Sequence, residues 1–265
     1  MRTGNPALNA RTFSGSQDVD TTARAEGGYT GEAPSRLATG ELMTLDGAVS
    51  KTAILSLLLI GGASWTWRIF FTTHSIEAVQ PWLIASTVAG FVVAMATIIK
   101  KTWAPFTAPA YAAFEGLALG ALSSIFEAKF PGIVIQAVAL TMGTLLSLLF
   151  AYKSRLIRPD QNFRLGIVAA TGGVCVVYLV DLALGFFGTQ IPMIHQSGVV
   201  GILFSLFVVI LAALNLVLDF DFIESGVEQG APKYMEWYAA FGLMVTLVWL
   251  YLEILRLLAK SRSRD

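Results

Sequence analysis

The chain has 265 residues, of which 55% are hydrophobic and 14% charged, with a formal net charge of zero. A soluble domain carries roughly 25% charged residues, so this composition excludes a water-facing globular protein. The even charge balance gives no support for nucleic-acid binding.

Residues 1–50 are rich in Gly, Ser, Thr, Ala and acidic residues. They lack the apolar stretch of a signal peptide and carry too little apolar surface to offset the entropy of ordering. They read as a flexible polar tail, with room for a short helix near 40–48. The transmembrane domain then occupies 51–265. Seven apolar runs follow, near 52–71, 82–99, 106–126, 132–152, 165–187, 197–219 and 237–258. About 20 residues at 1.5 Å rise cross the ~30 Å hydrocarbon layer. Unpaired backbone groups are not tolerated in lipid, so each run predicts a helix. The alternation that a β-barrel requires is absent from the sequence. The expected fold is therefore an all-α, multi-pass membrane protein, a bundle of seven transmembrane helices. The lipid bilayer is its first partner.

Punctuation between the runs agrees. Pro81 opens the second, Lys100, Lys101 and Pro105 separate the second from the third, and Phe130-Pro131-Gly132 follows the third. Gly116 and Gly120 form a GxxxG, and Gly172, Gly173 and Gly185 lie in the fifth run. Small residues of this kind let helix backbones approach closely. Trp65, Trp67, Trp82, Trp103, Trp237 and Tyr238 stand at span ends as interfacial anchors. Cys175, alone in the chain, reads as a small buried apolar residue.

Basic residues set the orientation. With the N-terminus cytoplasmic, the inner segments hold Lys51, Lys100, Lys101, Lys153, Arg155, Arg158, Arg164 and Lys233. The outer loops hold little beyond Arg68 and Lys129. Seven crossings put the C-terminus outside, although it carries Lys260, Arg262 and Arg264. Either that tail breaks the rule or one segment does not cross.

Ionisable groups inside spans cost about 2.5–3.5 kcal/mol on insertion scales and usually face the bundle interior. Glu115 sits mid-span beside the GxxxG. It reads either as an ion or proton ligand or as a protonated structural carboxyl. Asp181 stands about two turns from the outer end of its span, within reach of interfacial water. Asn215 and Asp219, at i and i+4, share a helix face. With Asp221 and Glu224 they form either an acidic cytoplasmic mouth or an ordinary solvated helix end. Glu253 and Arg256, at i and i+3, read as a surface ion pair with the arginine snorkelling outward, or as an interior pair. His74 and His195 have no clustered ligands, so no metal site is assigned. No catalytic or cofactor-binding fingerprint is found, so no enzyme activity and no cofactor are expected.

Two segments together carry a resemblance. LNLVLDFDFI at 214–223 resembles the end of the sixth helix of the Bax inhibitor (transmembrane Bax inhibitor motif) family, with Asp219 on the family's aspartate. AAFGLMVTLVWLYLEILRLL at 239–258 is similar to its seventh helix, and YAAFEGLALGALSSIF at 111–126 to a helix rich in small residues. The resemblance covers about 52–258 and finds no counterpart for the tail. It implies six helices around a central last one. It also implies a pH-sensitive calcium leak, in which acids on the sixth and seventh helices share a proton and Ca²⁺ is the transported ion. The alternative it implies is a non-conducting modulator that binds a membrane quality-control protease or a stress-response partner. The second acid falls on Glu253 in one register and is replaced by Thr246 in another. By span geometry Asp219 and Glu253 lie about 24 Å apart in depth, too far to share a proton, which favours the Thr246 register. The expected ion or proton site is then Asp219, Asp221, Glu115 and Thr246. Glu253, Arg256, Asn215 and Asp181 stand second.

The topology is open to a direct test. In a chain with Cys175 replaced, Arg158→Cys should react with an impermeant thiol reagent only after permeabilisation, and Ser263→Cys before it. Reaction of both from one side would mean that the last segment does not cross.

Overall fold

The structure, a computed structural model, describes residues 42–157, 159–189, 191, 194 and 198–263. Seven long helices fill it: α1 Leu45–Thr73, α2 Ile76–Ile99, α3 Ala104–Lys129, α4 Ile133–Lys153, α5 Gln161–Gly185, α6 Val199–Glu228 and α7 Met235–Arg262. Each is long and apolar enough to cross a membrane. A single 3-10 turn, Lys101–Trp103, leads into α3.

The helix ends follow from local chemistry. The Thr44 hydroxyl oxygen accepts from Gly47 N at 3.0 Å and starts α1 inside the segment read as tail. The helix therefore begins at Leu45, seven residues before the apolar run. Asp160 caps α5 by accepting from Phe163 N at 2.7 Å. Gly132, with φ +81°, makes the left-handed turn from α3 into α4, a conformation that suits a residue without Cβ. Neither Asp219 nor Asp221 ends the sixth helix, which runs on to Glu228. The apolar run stops there because polar residues enter the helix, and the backbone continues.

The last helix is the axis of the bundle. In its most apolar 18-residue stretch 61% of residues are buried, against 17% for α1, α2 and α4 and 11% for α5. It packs against α1, α3, α4 and α6. Phe241 lies edge-on to Tyr111 of α3, with ring centroids 5.0 Å apart. Tyr238, expected as an interfacial anchor, is buried in this core. Trp65, Trp82 and Trp103 remain exposed, as anchors should.

The closest approach is between α1 and α3. A Cβ on Gly116 would overlap the carbonyl of Leu59, and one on Gly120 the carbonyl of Ala63. On the facing helix a Cβ on Gly62 would come within 2.8 Å of Ala113 O. Thr66 Oγ1 crosses the gap to donate to Leu117 O at 3.0 Å. Without a hydrophobic drive between helices in lipid, this contact of backbone on backbone is what holds them together. The fifth helix behaves otherwise. Gly172, Gly173 and Gly185 have nothing within 4 Å of a Cβ, so the expected close packing is absent there. Cys175 on the same helix is exposed, not buried. The reason is that α5 leans mainly on α6 and turns its other faces outward.

The two ends of the bundle are distinct. At one, Met43 N donates to Ala231 O at 2.7 Å, and Leu42 bridges Pro232. Glu236 is fully buried there and accepts from Thr44 N, Thr44 Oγ1 and Lys233 Nζ at 2.9–3.0 Å. Lys51 lies over the Trp237 ring and Lys101 over the Tyr238 ring, at 5.1 and 5.9 Å. At the other end, Arg262 donates to Pro131 O and Gln136 Oε1. The start of α1 and the end of α7 therefore lie at opposite ends, as an odd number of crossings requires. The C-terminal cations that strained the charge rule are also accounted for among the described residues. Lys260 is buried and donates to Gly201 O and Ser205 Oγ of α6. Arg262 clasps the α3–α4 turn, and Arg264 and Arg158 lie outside the described residues.

Gly120→Val should lower the melting transition in detergent, with an overpacking cost of about 1–3 kcal/mol or more. Gly172→Val should leave it unchanged. Equal melting of the two would contradict the close α1–α3 crossing. Gly47→Val should destabilise as well, because a Cβ there overlaps the Glu236 carboxylate.

Candidate functional site

The third quarter of α6 carries an acid deep in the bundle. Asp219 has no exposed surface, and Asn215, one turn away on the same face, is 1% exposed. Asn215 Nδ2 donates to Thr171 Oγ1 of α5 and to Leu211 O, both at 2.9 Å. Its Oδ1 is buried and accepts no hydrogen bond from the described residues. Asn215, Thr171 and Tyr178 line a cavity of about 340 Å³ with Val245, Thr246 and Trp249 of α7. The Thr246 hydroxyl donates to Gly242 O at 3.3 Å, and the residue is buried. Cys175 stands at the cavity's α5 wall.

The outer part of the cavity meets a second polar group. Tyr178 OH donates to Glu253 Oε1 at 2.9 Å and accepts from Arg256 Nη1 at 2.7 Å. Arg256 pairs with Glu253 at 2.9 Å. The carboxylate side chain is 3% exposed and the arginine 39%. Of the two readings open for this pair, the interior one holds for Glu253, while Arg256 snorkels. The tyrosine on α5 makes the difference, and neither spacing nor composition announced it.

Asn215 bonds Thr171 of α5, and Glu253 bonds Tyr178 seven residues further along the same helix, so the two levels are about 10 Å apart. Asp219 is about 6 Å from the Asn215 level on the side away from Glu253, since α5 and α6 are antiparallel. The two acids are thus about 16 Å apart in depth, less than the 24 Å drawn from the apolar runs because α6 extends to Glu228. The separation still forbids a shared proton. Thr246, not Glu253, is the α7 residue that lines a cavity with Asn215.

The remaining candidates are dispersed. Asp221, about 200° around α6 from Asp219, pairs with Arg164 of α5 at 2.8 Å. Glu224 accepts from Tyr152 OH of α4. These pairs tie the cytoplasm-assigned end of α6 to its two neighbours, so Asp221 belongs to a structural clasp. Glu115 faces α2, where a Cβ on Gly90 would lie 3.5 Å from its Oε2. Asp181 accepts from Ile191 N at 2.8 Å and holds the chain that leaves α5. His74 closes α1 in a left-handed conformation, and His195 lies outside the described residues.

Sequence reasoning missed Arg164, Tyr152, Thr171, Tyr178 and Ser205. Each is an ordinary residue at a helix position where only the neighbour's register reveals its role. Glu236 was also missed, although a lone acid opening the last helix was a visible signal.

Tyr178→Phe should weaken this clasp. The loss of a hydrogen bond to a charged group implies about 1.5–3 kcal/mol of destabilisation, read by thermal unfolding. Tyr178→Phe in a Glu253→Gln background should cost less than it does alone. Additive losses would contradict the coupling.

Comparison with curated proteins and with solved structures returns no match. A family model described as Bax inhibitor 1 like matches residues 5–263. That span takes in most of the polar segment before Leu45, for which the resemblance over 52–258 finds no counterpart. With the match covering nearly the whole length, the chain belongs to the Bax inhibitor 1 like family of membrane proteins.

Proposed function

We propose that this protein works without catalysis, as a passive, pH-sensitive cation leak across the cell (inner) membrane, with Asp219 as the ion ligand or gate and Ca²⁺ as the ion carried. The observation that carries the reading is a carboxylate with no exposed surface in the body of an apolar helix. Such a group is expensive in a bilayer and marks ion and proton paths. Support comes from its neighbours. Asn215 and Thr246 extend the polar face towards the cavity, and Glu253, Arg256 and Tyr178 stand at its far side. A cation entering from the basic end would meet Asp219 first and then the cavity. The basic loops assign that end to the cytoplasm under the positive-inside rule.

The pH dependence is then carried by protonation of the Asp219 carboxyl, which changes the charge a cation meets on this path.

A second reading is a non-conducting modulator that binds a membrane protease or stress-response partner. It is favoured by the pinning of residues 42–44 to the α6–α7 turn, at the same end of the bundle as the proposed path.

In liposomes loaded with a calcium dye, Asp219→Asn should reduce flux roughly tenfold, the equivalent of about 1.4 kcal/mol, and should abolish its pH dependence. Equal leak from both proteins at every pH would reject the proposal. Deletion of residues 1–41 should leave flux intact. If the deletion abolishes partner capture while neither protein conducts, the second reading takes its place.

A further inference from the structure

A second cavity, unconnected with Asp219, is larger than the first, at about 610 Å³. Its floor is α3 and α7, and its walls are α1 and α4. Those two walls stand apart across the floor. Their rims face the hydrocarbon: Ile60 is 57% exposed, Val138 40% and Met142 44%. The floor is deep in the bundle, with Met244, Leu247 and Val248 of the central helix 3–8% exposed. The cavity is thus a lateral groove that lets membrane-side matter reach the axis of the protein.

Its lining tells what fits. Every hydroxyl on it is already engaged. Ser56 donates to Thr52 O, Ser64 to Ile60 O and Thr141 to Ala137 O, each within its own helix. Ser123 and Tyr251 bond each other at 2.7 Å. A peptide or a file of water would find few free donors on these walls and would leave most of its polar atoms unpaired, at a desolvation cost. Hydrocarbon bears none.

The dimensions agree. From Ser56 to Trp67 the α1 wall runs about 16 Å, close to the ~15 Å depth of one leaflet's hydrocarbon. The end carrying Trp67 and Val134 is the end of the α3–α4 turn. There Arg262 donates to Pro131 O and Gln136 Oε1 in the first turn of α4, and Lys129 closes α3. The nearby acid, Glu127, is occupied by Gly132 N and Val134 N. A cationic rim above an apolar slot one leaflet deep matches a phosphate headgroup above an acyl chain.

We propose that this groove is a binding site for one acyl chain of a phospholipid from the leaflet at the α3–α4 turn, with its phosphate at Arg262 and Lys129. The seated chain touches α7 directly, so lipid chain composition acts on the helix that the rest of the bundle surrounds.

Proteoliposomes containing a phospholipid with a mid-chain diazirine test this. After irradiation, lipid adducts should appear on Met244, Leu247 and Val248 of α7, the buried side chains that form the groove's floor. Val138→Trp and Ile60→Trp, both at the rim, should each cut the α7 adducts roughly tenfold and leave adducts on α4 in place. Ile135→Trp, which is exposed on α4 but outside the groove, should change nothing. Adducts confined to the outward faces of α1 and α4 would overturn the proposal. So would α7 adducts undiminished by both rim variants, or cross-linking of Val138 between two copies of the chain. None of these results depends on whether Asp219 conducts.

Discussion

Hydrocarbon solvates neither a peptide group nor a charge, and that constraint shapes every part of this protein. It makes each apolar run a helix, because only a helix satisfies its own backbone. It also removes the hydrophobic drive between those helices, so they must be held by backbone proximity and by hydrogen bonds. The α1–α3 crossing uses the first device, through Gly62, Gly116 and Gly120. The α5–α6–α7 side uses the second, through Asn215–Thr171, Tyr178–Glu253 and Lys260–Ser205. One half of the bundle is tight and apolar. The other is looser and carries the polar groups.

That asymmetry connects packing to function. A bundle with all its helices in close contact would leave no room for an ion or for water near α7. Here α5 is the least buried helix. Where it leaves α7, a cavity opens between Thr171, Asn215 and Thr246. The polar residues at that seam are expensive in lipid, and their partners lie on different helices. They keep α5 attached while its glycines stay free of contact. The same logic read on the opposite side gives a different answer. There the hydroxyls are all satisfied within the protein, and the gap is suited to hydrocarbon.

Much of the fold was legible in the sequence. Seven crossings, their order and the GxxxG contact follow from run length, punctuation and residue size. What could not be read was register between helices. Asp221 and Asp219 look alike in a string, yet two residues of helical rotation send one to Arg164 and the other into the core. Gly172 and Gly116 look alike as well, but only one has a neighbour to approach. Hydropathy also misplaced helix ends by several residues. It marks where lipid contact ceases, whereas the backbone continues to its cap, at Thr44 for α1 and beyond Asp219 for α6. The buried state of Glu253 depended on a tyrosine from another helix. A single string cannot show that.

The central claim is that the seam between α6 and α7 is a path for cations, and chemical access to Thr246 tests it most directly. In a protein with Cys175 replaced, Thr246→Cys should react with a small cationic thiol reagent added from the aqueous phase. The modification, which places a fixed positive charge in the cavity, should stop calcium flux into liposomes. A conducting protein whose Thr246→Cys stays unreactive, or whose flux survives complete modification, would contradict the account.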